Sequence, residues 1–356
     1  MEPAAQISPL PTRLDDITPS WLTAAISKRC PGTVVDSVDI ESVIWGTATK
    51  VFLQVGYAVA TSNGPGQALC LKGGFDEKLH GVHNIGYRVE ARFYRDIAAA
   101  FKDMPDCWFA AEDVASGQGL VLIDDLRRAG AVFGKPGDRP SIDDVAKSLE
   151  SMACWHGLTW NRAGVGARSW LTVGSELFRP VAASFLSPDH WAAYIDLPQA
   201  SAFDRSLRDR ERLLRGLHAL WQLDDAGPLA VSHGDPHVGN TYVLPDGVRR
   251  FLDWQTVCLA PWSDDVTYFV AGILDVEDRR AHEIDLLKHY LAVLGSFTDE
   301  APDFDEAWLA YRRHHLHGLM FALCPPQMQP AEVCTQMGIR YAAAAIDHAT
   351  LDALAV

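Results

Sequence analysis

Four residues in the stretch Ser232 to Gln255, SHGDPHVGNTYVLPDGVRRFLDWQ, carry side chains that could do chemistry together: His233, Asp235, Asn240 and Asp253. Asn240 follows Asp235 by five residues, and Asp253 follows Asn240 by thirteen. One carboxylate can orient and deprotonate an attacking hydroxyl. An amide oxygen and a second carboxylate are hard ligands suited to Mg²⁺ on nucleotide phosphates. On this reading Asp235 is the catalytic base, and Asn240 and Asp253 are the metal ligands. Thr241 to Leu244 and Arg249 to Leu252 read as short strands joined by the turn Pro245-Asp246-Gly247, a hairpin of the right length to return Asp253 beside Asn240.

Two other readings compete. The stretch could be a polar turn between strands, but four spaced positions and their flanking strands agree on more than a turn needs. A two-metal phosphoesterase would need an upstream Asp-x-His and further histidine ligands, and no Asp-x-His precedes Asp235. The order His, Asp, Asn and a later Asp is that of a kinase catalytic loop with its metal-binding aspartate, lacking the arginine and the phenylalanine-glycine of the protein-kinase version. His233-Gly234-Asp235-Pro236-His237 and Asp253-Trp254-Gln255 resemble the aminoglycoside phosphotransferase and choline kinase-like superfamily, and the glutamine after the tryptophan resembles its ecdysteroid-kinase-like branch. The resemblance runs from about Val38 to Phe269. It implies an α+β, bilobal protein-kinase-like fold: a small antiparallel β-sheet lobe plus a larger, mainly α-helical lobe. It also implies ATP and Mg²⁺ as cofactors.

The elements that would position these groups begin with a helix after Thr18-Pro19-Ser20, ending by Cys30-Pro31-Gly32. Val38 to Ile44, Val51 to Val59 and Ala68 to Leu71 read as strands. Between the first two, Trp45 to Lys50 places Gly46 and Thr47 where a turn could cover phosphates; with one glycine, a plain hairpin turn fits the residues equally well. Lys72 ends the third strand. In the helix expected over Arg88 to Phe101, Glu90 shares a face with Phe93 and Ile97, and a glutamate turned inward needs a cation. Lys72 and Glu90 therefore resemble the superfamily's phosphate-orienting ion pair. His80 and His83, in the loop between them, read as loop residues rather than metal ligands. Gly119 to Leu126 is an apolar strand ending in acids. It resembles the strand into the superfamily's hinge, where the backbone of Asp124 to Leu126 would meet adenine. Cofactor contacts are thus expected at Gly46, Thr47, Lys72, Glu90, Asp124 and Leu126.

From Arg127 a Gly- and Pro-containing loop suggests a lobe boundary, giving 1–126 as the nucleotide-binding lobe and 127–356 as the catalytic and substrate-binding lobe. Ser141 to Asp144 reads as a capping box for a helix to about His156, itself read as a satisfied core residue. Trp160 to Leu197 is rich in aromatics at irregular spacing, consistent with core or with a pocket wall. Phe203 to Leu223 carries an apolar stripe and an arginine-rich face. Asp265 resembles a family aspartate that holds the catalytic-loop backbone. His314 and His317 share a helical face and read as a surface or pocket wall rather than a metal site.

Composition narrows the function classes. The chain has 356 residues, 48% of them hydrophobic and 22% charged, and a net charge of −15. That balance suits a folded two-lobe protein and disfavours a nucleic-acid partner, which needs basic stripes. Seven cysteines without a C-x-x-C pair read as reduced core residues. The amino-terminal residues lack the pattern of a secretory signal, and no apolar run approaches a membrane span. The expectation is a cytoplasmic phosphotransferase that moves the γ-phosphate of ATP to a hydroxyl of a small molecule, with neither nucleic acid nor membrane as partner. The aromatic segments 160–194 and 317–323 favour a largely apolar alcohol as acceptor. An aminoglycoside or choline-like amine, and a catalytically inactive nucleotide-binding module, are the alternatives.

Overall fold

Thr18 accepts a hydrogen bond from the Trp21 N–H (3.2 Å) and starts helix α1 (Pro19–Ile26) with proline in its first turn. In the computed structural model, which describes residues 9–79, 81, 83–166 and 168–356, this helix covers a five-stranded antiparallel sheet. The strands are β1 (Val34–Ile44), β2 (Thr49–Val59), β3 (Ala68–Gly73), β4 (Cys107–Asp113) and β5 (Gln118–Asp124), with helix α2 (Asn84–Asp96) between β3 and β4 in the chain. Their spatial order is β1-β2-β3-β5-β4. Alternation sorts the faces: Val51, Leu53, Leu69, Leu71, Leu120 and Leu122 join the core under Trp21 and Leu22 of α1. Lys72 pairs directly with Val121 and so stands on the opposite face. Helix α2 comes down on β5 where Gly119 leaves room; a Cβ there would lie 2.1 Å from the Tyr87 carbonyl oxygen. Helix α2 starts four residues earlier than its periodicity suggests and ends at Asp96, and β4 is a strand that the sequence pattern did not announce.

This first unit takes in the chain up to Val132 together with Asp253–Gln255; the second comprises Phe133–Leu252 and Thr256–Val356. The chain passes between them at β6 (Val132–Phe133) rather than at residue 126. Arg127 and Arg128 explain the difference. The Arg127 guanidinium lies over the Phe52 ring at 3.3 Å and pairs with Asp125, and Arg128 pairs with Glu41, so both stay with the sheet.

The second unit is mainly helical, and with the sheet of the first it makes the chain a mixed α+β protein, as expected. Ser141 and Asp144 form the capping box of α3 (Ile142–Leu158). The aromatic segment folds into α4 (Phe178–Phe185) and α5 (Pro188–Tyr194). Helix α6 (Arg210–Ala226) starts later than its apolar stripe, because Asp209 caps it and Asp204 ties the preceding turn through the N–H groups of Ser206 and Leu207. Strand β7 (Ala230–Ser232) precedes the hairpin β8 (Thr241–Val243) and β9 (Arg249–Phe251), in which Thr241 faces Phe251. Strand β10 (Cys258–Ala260) pairs antiparallel with β7. Helices α7 (Trp262–Ile273), α8 (Val276–Leu294), α9 (Phe304–Phe321) and α10 (Ala331–Asp347) complete the unit with the short α11 (Thr350–Ala353). Phe178 and Phe185 pack on Phe321, with the Phe178 and Phe321 rings 4.6 Å apart, so much of both aromatic segments is core. Five of the seven cysteines are buried, and Cys107 and Cys154 are partly exposed. Among the described residues no helix is long and apolar enough to cross a membrane.

Candidate functional site

In the first unit the sheet delivers a cation and the helix an anion. Lys72 Nζ lies 2.8 Å from Glu90 Oε1 on α2 and 2.8 Å from Asp253 Oδ1. Lys72 is 9% and Glu90 3% exposed, too dry for either to stand alone. Burial works against the ammonium, but Asp253 and Glu90 outweigh it and raise the Lys72 pKa, so the lysine is charged. Burial raises the Glu90 carboxyl, against the pull of Lys72 and with the push of Asp253. Two carboxylates thus share one ammonium. Asp253 itself has φ 68°, a left-handed conformation that aspartate tolerates better than most residues. The following residue fixes it: the buried Trp254 ring stacks on Phe93 at 4.1 Å and 10°, and the Trp254 N–H donates to Glu90 Oε1 (3.2 Å).

The remaining expected cofactor positions also fall in this unit. Gly46 and Thr47 form the exposed turn between β1 and β2, and the Thr47 carbonyl accepts from Tyr87 Oη (2.6 Å). Gly46 has an ordinary φ, and a Cβ there would meet the Ala48 carbonyl oxygen at an ordinary 3.6 Å, so its backbone does not demand glycine. Asp124 closes β5 and accepts from Trp108 Nε1 (2.8 Å), while burial raises its pKa. The Leu126 carbonyl accepts from the N–H groups of Ala129 and Ala131, and its own N–H has no partner among the described residues. His83 is the N-cap of α2; His80 lies outside the described residues.

In the second unit the loop after β7 is built around a buried anion. Asp265, on α7 and fully buried, accepts from Ser232 Oγ (2.8 Å) and from the N–H groups of His233 (2.8 Å) and Gly234 (2.9 Å). It also accepts from His156 Nε2 (3.1 Å), whose Nδ1 then accepts from the Tyr290 hydroxyl (2.9 Å). Burial alone would raise the Asp265 pKa, but His156, His233 and the Gly234 N–H bring it below its usual value. His156 is the satisfied core residue expected, and its role is to hold Asp265. Gly234 has φ 80°, and a Cβ there would meet the Thr256 carbonyl at 2.7 Å, so this position requires glycine.

The loop then presents Asp235. His233 Nδ1 accepts from the Asp235 N–H (3.2 Å) while its Nε2 donates to the Leu252 carbonyl (2.8 Å), tying the loop to the end of the hairpin. The Leu252 N–H returns a bond to the Asn240 carbonyl (2.8 Å). Asn240 Nδ2 donates to the Asp235 carbonyl (2.9 Å) and to Asp235 Oδ2 (3.2 Å), which leaves Oδ1 as the acceptor end of the amide. His237 Nδ1 accepts from the Gly239 N–H (3.0 Å), which puts its proton on Nε2, 3.6 Å from Asp235 Oδ2. A cavity beside this loop is lined by His237, Tyr268, Val333, Met337, Arg340 and Tyr341, among others. Sequence reasoning did not find this wall, because α10 is brought to the loop by tertiary packing. Burial, and after it the Asp235 charge, push the Tyr268 phenol well above its usual value, so it remains protonated.

Oxygen donors of the kind Mg²⁺ takes are therefore present: the Asp253 carboxylate in the first unit and Asn240 Oδ1 in the second. Residues 173–312 match the family model described as phosphotransferase enzyme family, a span that includes His233, Asp235, Asn240, Asp253 and Asp265. No curated protein matches the chain by sequence. Among solved structures it is similar to a choline/ethanolamine kinase family protein from Mesorhizobium loti, at 15% identity and a TM-score of 0.44, with 89% of this chain and 87% of that one covered. It is also similar to an ethanolamine kinase from Plasmodium vivax (11%, 0.47, 88% and 81%). A third is a macrolide 2'-phosphotransferase from Brachybacterium faecium (15%, 0.44, 88% and 98%). Over residues 173–312, then, the chain is similar to the phosphotransferase enzyme family.

Proposed function

We infer that the chain is an ATP- and Mg²⁺-dependent small-molecule O-phosphotransferase with a protein-kinase-like catalytic arrangement. The observation that carries this reading is the Asn240 amide, whose nitrogen is bonded to both the backbone and the side chain of Asp235. That bonding supports a loop built to offer a carboxylate and an amide oxygen at once. In the reaction, Asp235 takes the proton of the acceptor hydroxyl as its oxygen attacks the γ-phosphorus; the bond from that phosphorus to the β–γ bridging oxygen breaks, giving a phosphomonoester and ADP. Lys72, held by Glu90, orients the nucleotide phosphates. Backbone groups of Asp124 to Leu126 receive the base, and the Gly46-Thr47 turn covers the phosphates. Mg²⁺, held by Asn240 and Asp253, would neutralise charge on the phosphate oxygens.

For the acceptor, the apolar and aromatic side chains of Tyr268, Val333, Met337 and Tyr341 in the cavity that includes His237 favour a largely apolar alcohol over a polycationic antibiotic. This wall replaces the one expected from residues 160–194 and 317–323, much of which packs as core. Placement on the ecdysteroid-kinase-like branch rests on Trp254-Gln255. The test is ADP release from Mg·ATP across lipophilic alcohols, aminoglycosides and choline-like amines, with Asp235→Asn as control. Turnover of an aminoglycoside with none on any lipophilic alcohol would overturn the acceptor class, and no acceptor-dependent ADP release from any of them would overturn the enzyme reading.

A further inference from the structure

The second unit also holds a cavity of about 530 Å³ that the proposed transfer chemistry does not use. Its walls come from the end of α6, the residues preceding β7, the start of α7 and the first turns of α9. In the β7–β10 ladder Ala230 faces Ala260 and Ser232 faces Cys258. The cavity-lining Pro228 and Pro261 lie beyond the Ala230–Ala260 end, whereas His233 to Asp235 leave from the Ser232–Cys258 end. The cavity and the catalytic loop therefore occupy opposite ends of the ladder. Its volume falls in the range of small-molecule sites.

The lining has two characters. Trp160 and Trp262 supply aromatic wall, and Leu223 and Leu309, 44% and 36% exposed, are large apolar side chains left at the surface. The charged lining comprises Asp224, Glu300 and Glu306 against Arg313 and His314. His314 is already spoken for: Nδ1 lies 2.8 Å from the Ala310 carbonyl and Nε2 2.9 Å from Asp224 Oδ1. Both partners are acceptors, so both nitrogens carry protons and the imidazolium cancels Asp224. Arg313 turns its Nε to the Ala353 carbonyl (2.9 Å), and Glu300 accepts from Asn161. Glu306 lines the cavity from an exposed position, and its carboxylate has no ion pair among the described residues. A carboxylate is thus left over beside aromatic faces, which also attract ammonium groups.

We propose that this cavity is a binding site, separate from the transfer site, for a small molecule with an apolar or aromatic body and a basic amine. The body fills the space between Trp160, Trp262 and Leu220, and the amine faces Glu306. An occupant rests on the segments that lead into the catalytic loop through β7 and to Asp265 through α7.

The test uses the full chain and three matched probes without a hydroxyl: 4-phenylbutylamine, the neutral 4-phenylbutyramide and the anionic 4-phenylbutyrate. Calorimetric titration should show saturable binding of the amine, with the amide about three- to fivefold weaker, as expected for loss of an exposed ion pair, and the acid weaker still. Glu306→Gln should weaken the amine by about three- to fivefold and leave the amide unchanged. Ala310→Phe inside the cavity and Leu223→Arg at the surface should each weaken the amine by at least about tenfold through lost space and like charge, with Mg·ADP affinity unchanged. Leu223→Arg serves if Ala310→Phe disturbs folding. No saturable amine binding, equal binding of the three probes, or amine binding untouched by both wall variants would overturn the proposal. None of these readouts depends on the chain turning over an acceptor.

Discussion

Asp253 places Oδ1 2.8 Å from Lys72 Nζ although Glu90 already holds the same ammonium at 2.8 Å. Holding Asp253 in a left-handed conformation costs on the order of 1 kcal/mol, and two carboxylates on one buried lysine leave excess negative charge. A dication arriving with the nucleotide would relieve that excess. Asp253→Ala should therefore weaken Mg·ADP binding by at least about tenfold. Asn240→Ala, which on the proposed reading removes a neutral ligand, should weaken it less. Titrations of ADP with and without Mg²⁺ check this: if metal improves ADP affinity equally in wild type and the Asp253 variant, Asp253 is not a metal ligand.

Asp235→Asn keeps the shape of the side chain, and Asn240 Nδ2 can still donate to the backbone carbonyl and to the new amide oxygen. What is lost is the proton acceptor. Turnover on an identified acceptor should fall by about 10²- to 10⁴-fold, with the nucleotide dissociation constant nearly unchanged. Near-normal turnover in this variant would remove Asp235 from the role of base.

Asp265→Asn should be costly in a different way. The carboxylate accepts from Ser232, His233, Gly234 and His156 in a fully buried place, and an amide turns two donor hydrogens toward groups that are themselves donors. A loss of about 3–5 kcal/mol is the scale for breaking a buried charge network. Because the folded-state pKa of Asp265 is lowered, its contribution is present above the unfolded carboxyl value and is lost as pH falls through the folded one. Denaturant unfolding at pH 7 and below pH 4 should show the gap between wild type and variant narrowing in acid.

How far the sequence carried these assignments depended on whether a residue's partners are local or brought by tertiary packing. Glu90 was legible because a carboxylate on the apolar face of a helix must meet a cation, and Lys72 stood on the correct face by strand alternation. The hairpin length was legible from its turn, and Gly247 does take φ 77° there. The capping box at Ser141 was legible because both of its hydrogen bonds are local. Strand β4 was not, since CWFAAED carries little β-branched or alternating signal and pairs only because β5 is beside it. Nor was the wall of Tyr268, Met337 and Tyr341 beside the loop: Tyr341 stacks on Tyr268 at 5.4 Å and 6° across more than seventy residues of chain. Trp254 read as part of a motif, yet its position follows from the stack on Phe93.

His315 gives the last prediction. It is fully buried on α9, neither ring nitrogen has a partner among the described residues, and its ring stacks on His348 at 4.6 Å and 10°. Glu283 is near enough for Glu283, His315 and His348 to resemble a metal site, but Arg279 already donates to Glu283 Oε2 (2.7 Å) and lies 3.2 Å from His348 Nε2, so a cation occupies that place. Burial, and after it His348 and Arg279, hold the His315 pKa well below its usual value, so the folded protein keeps it neutral. The unfolded chain takes up that proton near the ordinary histidine value, and below it the unfolded state binds more protons at this position. Stability should therefore fall as pH drops below about 6.5, by at most about 1.4 kcal/mol per pH unit from this one group. His314 and His317, whose pKa values are raised by Asp224 and Asp264 against the effect of burial, change stability in the opposite sense, so the whole-protein profile mixes both. The difference between wild type and His315→Leu isolates the term. Urea unfolding from pH 7.5 to 5 should show wild type losing ground relative to the leucine variant as pH falls, and parallel curves would mean that His315 is protonated in the folded state.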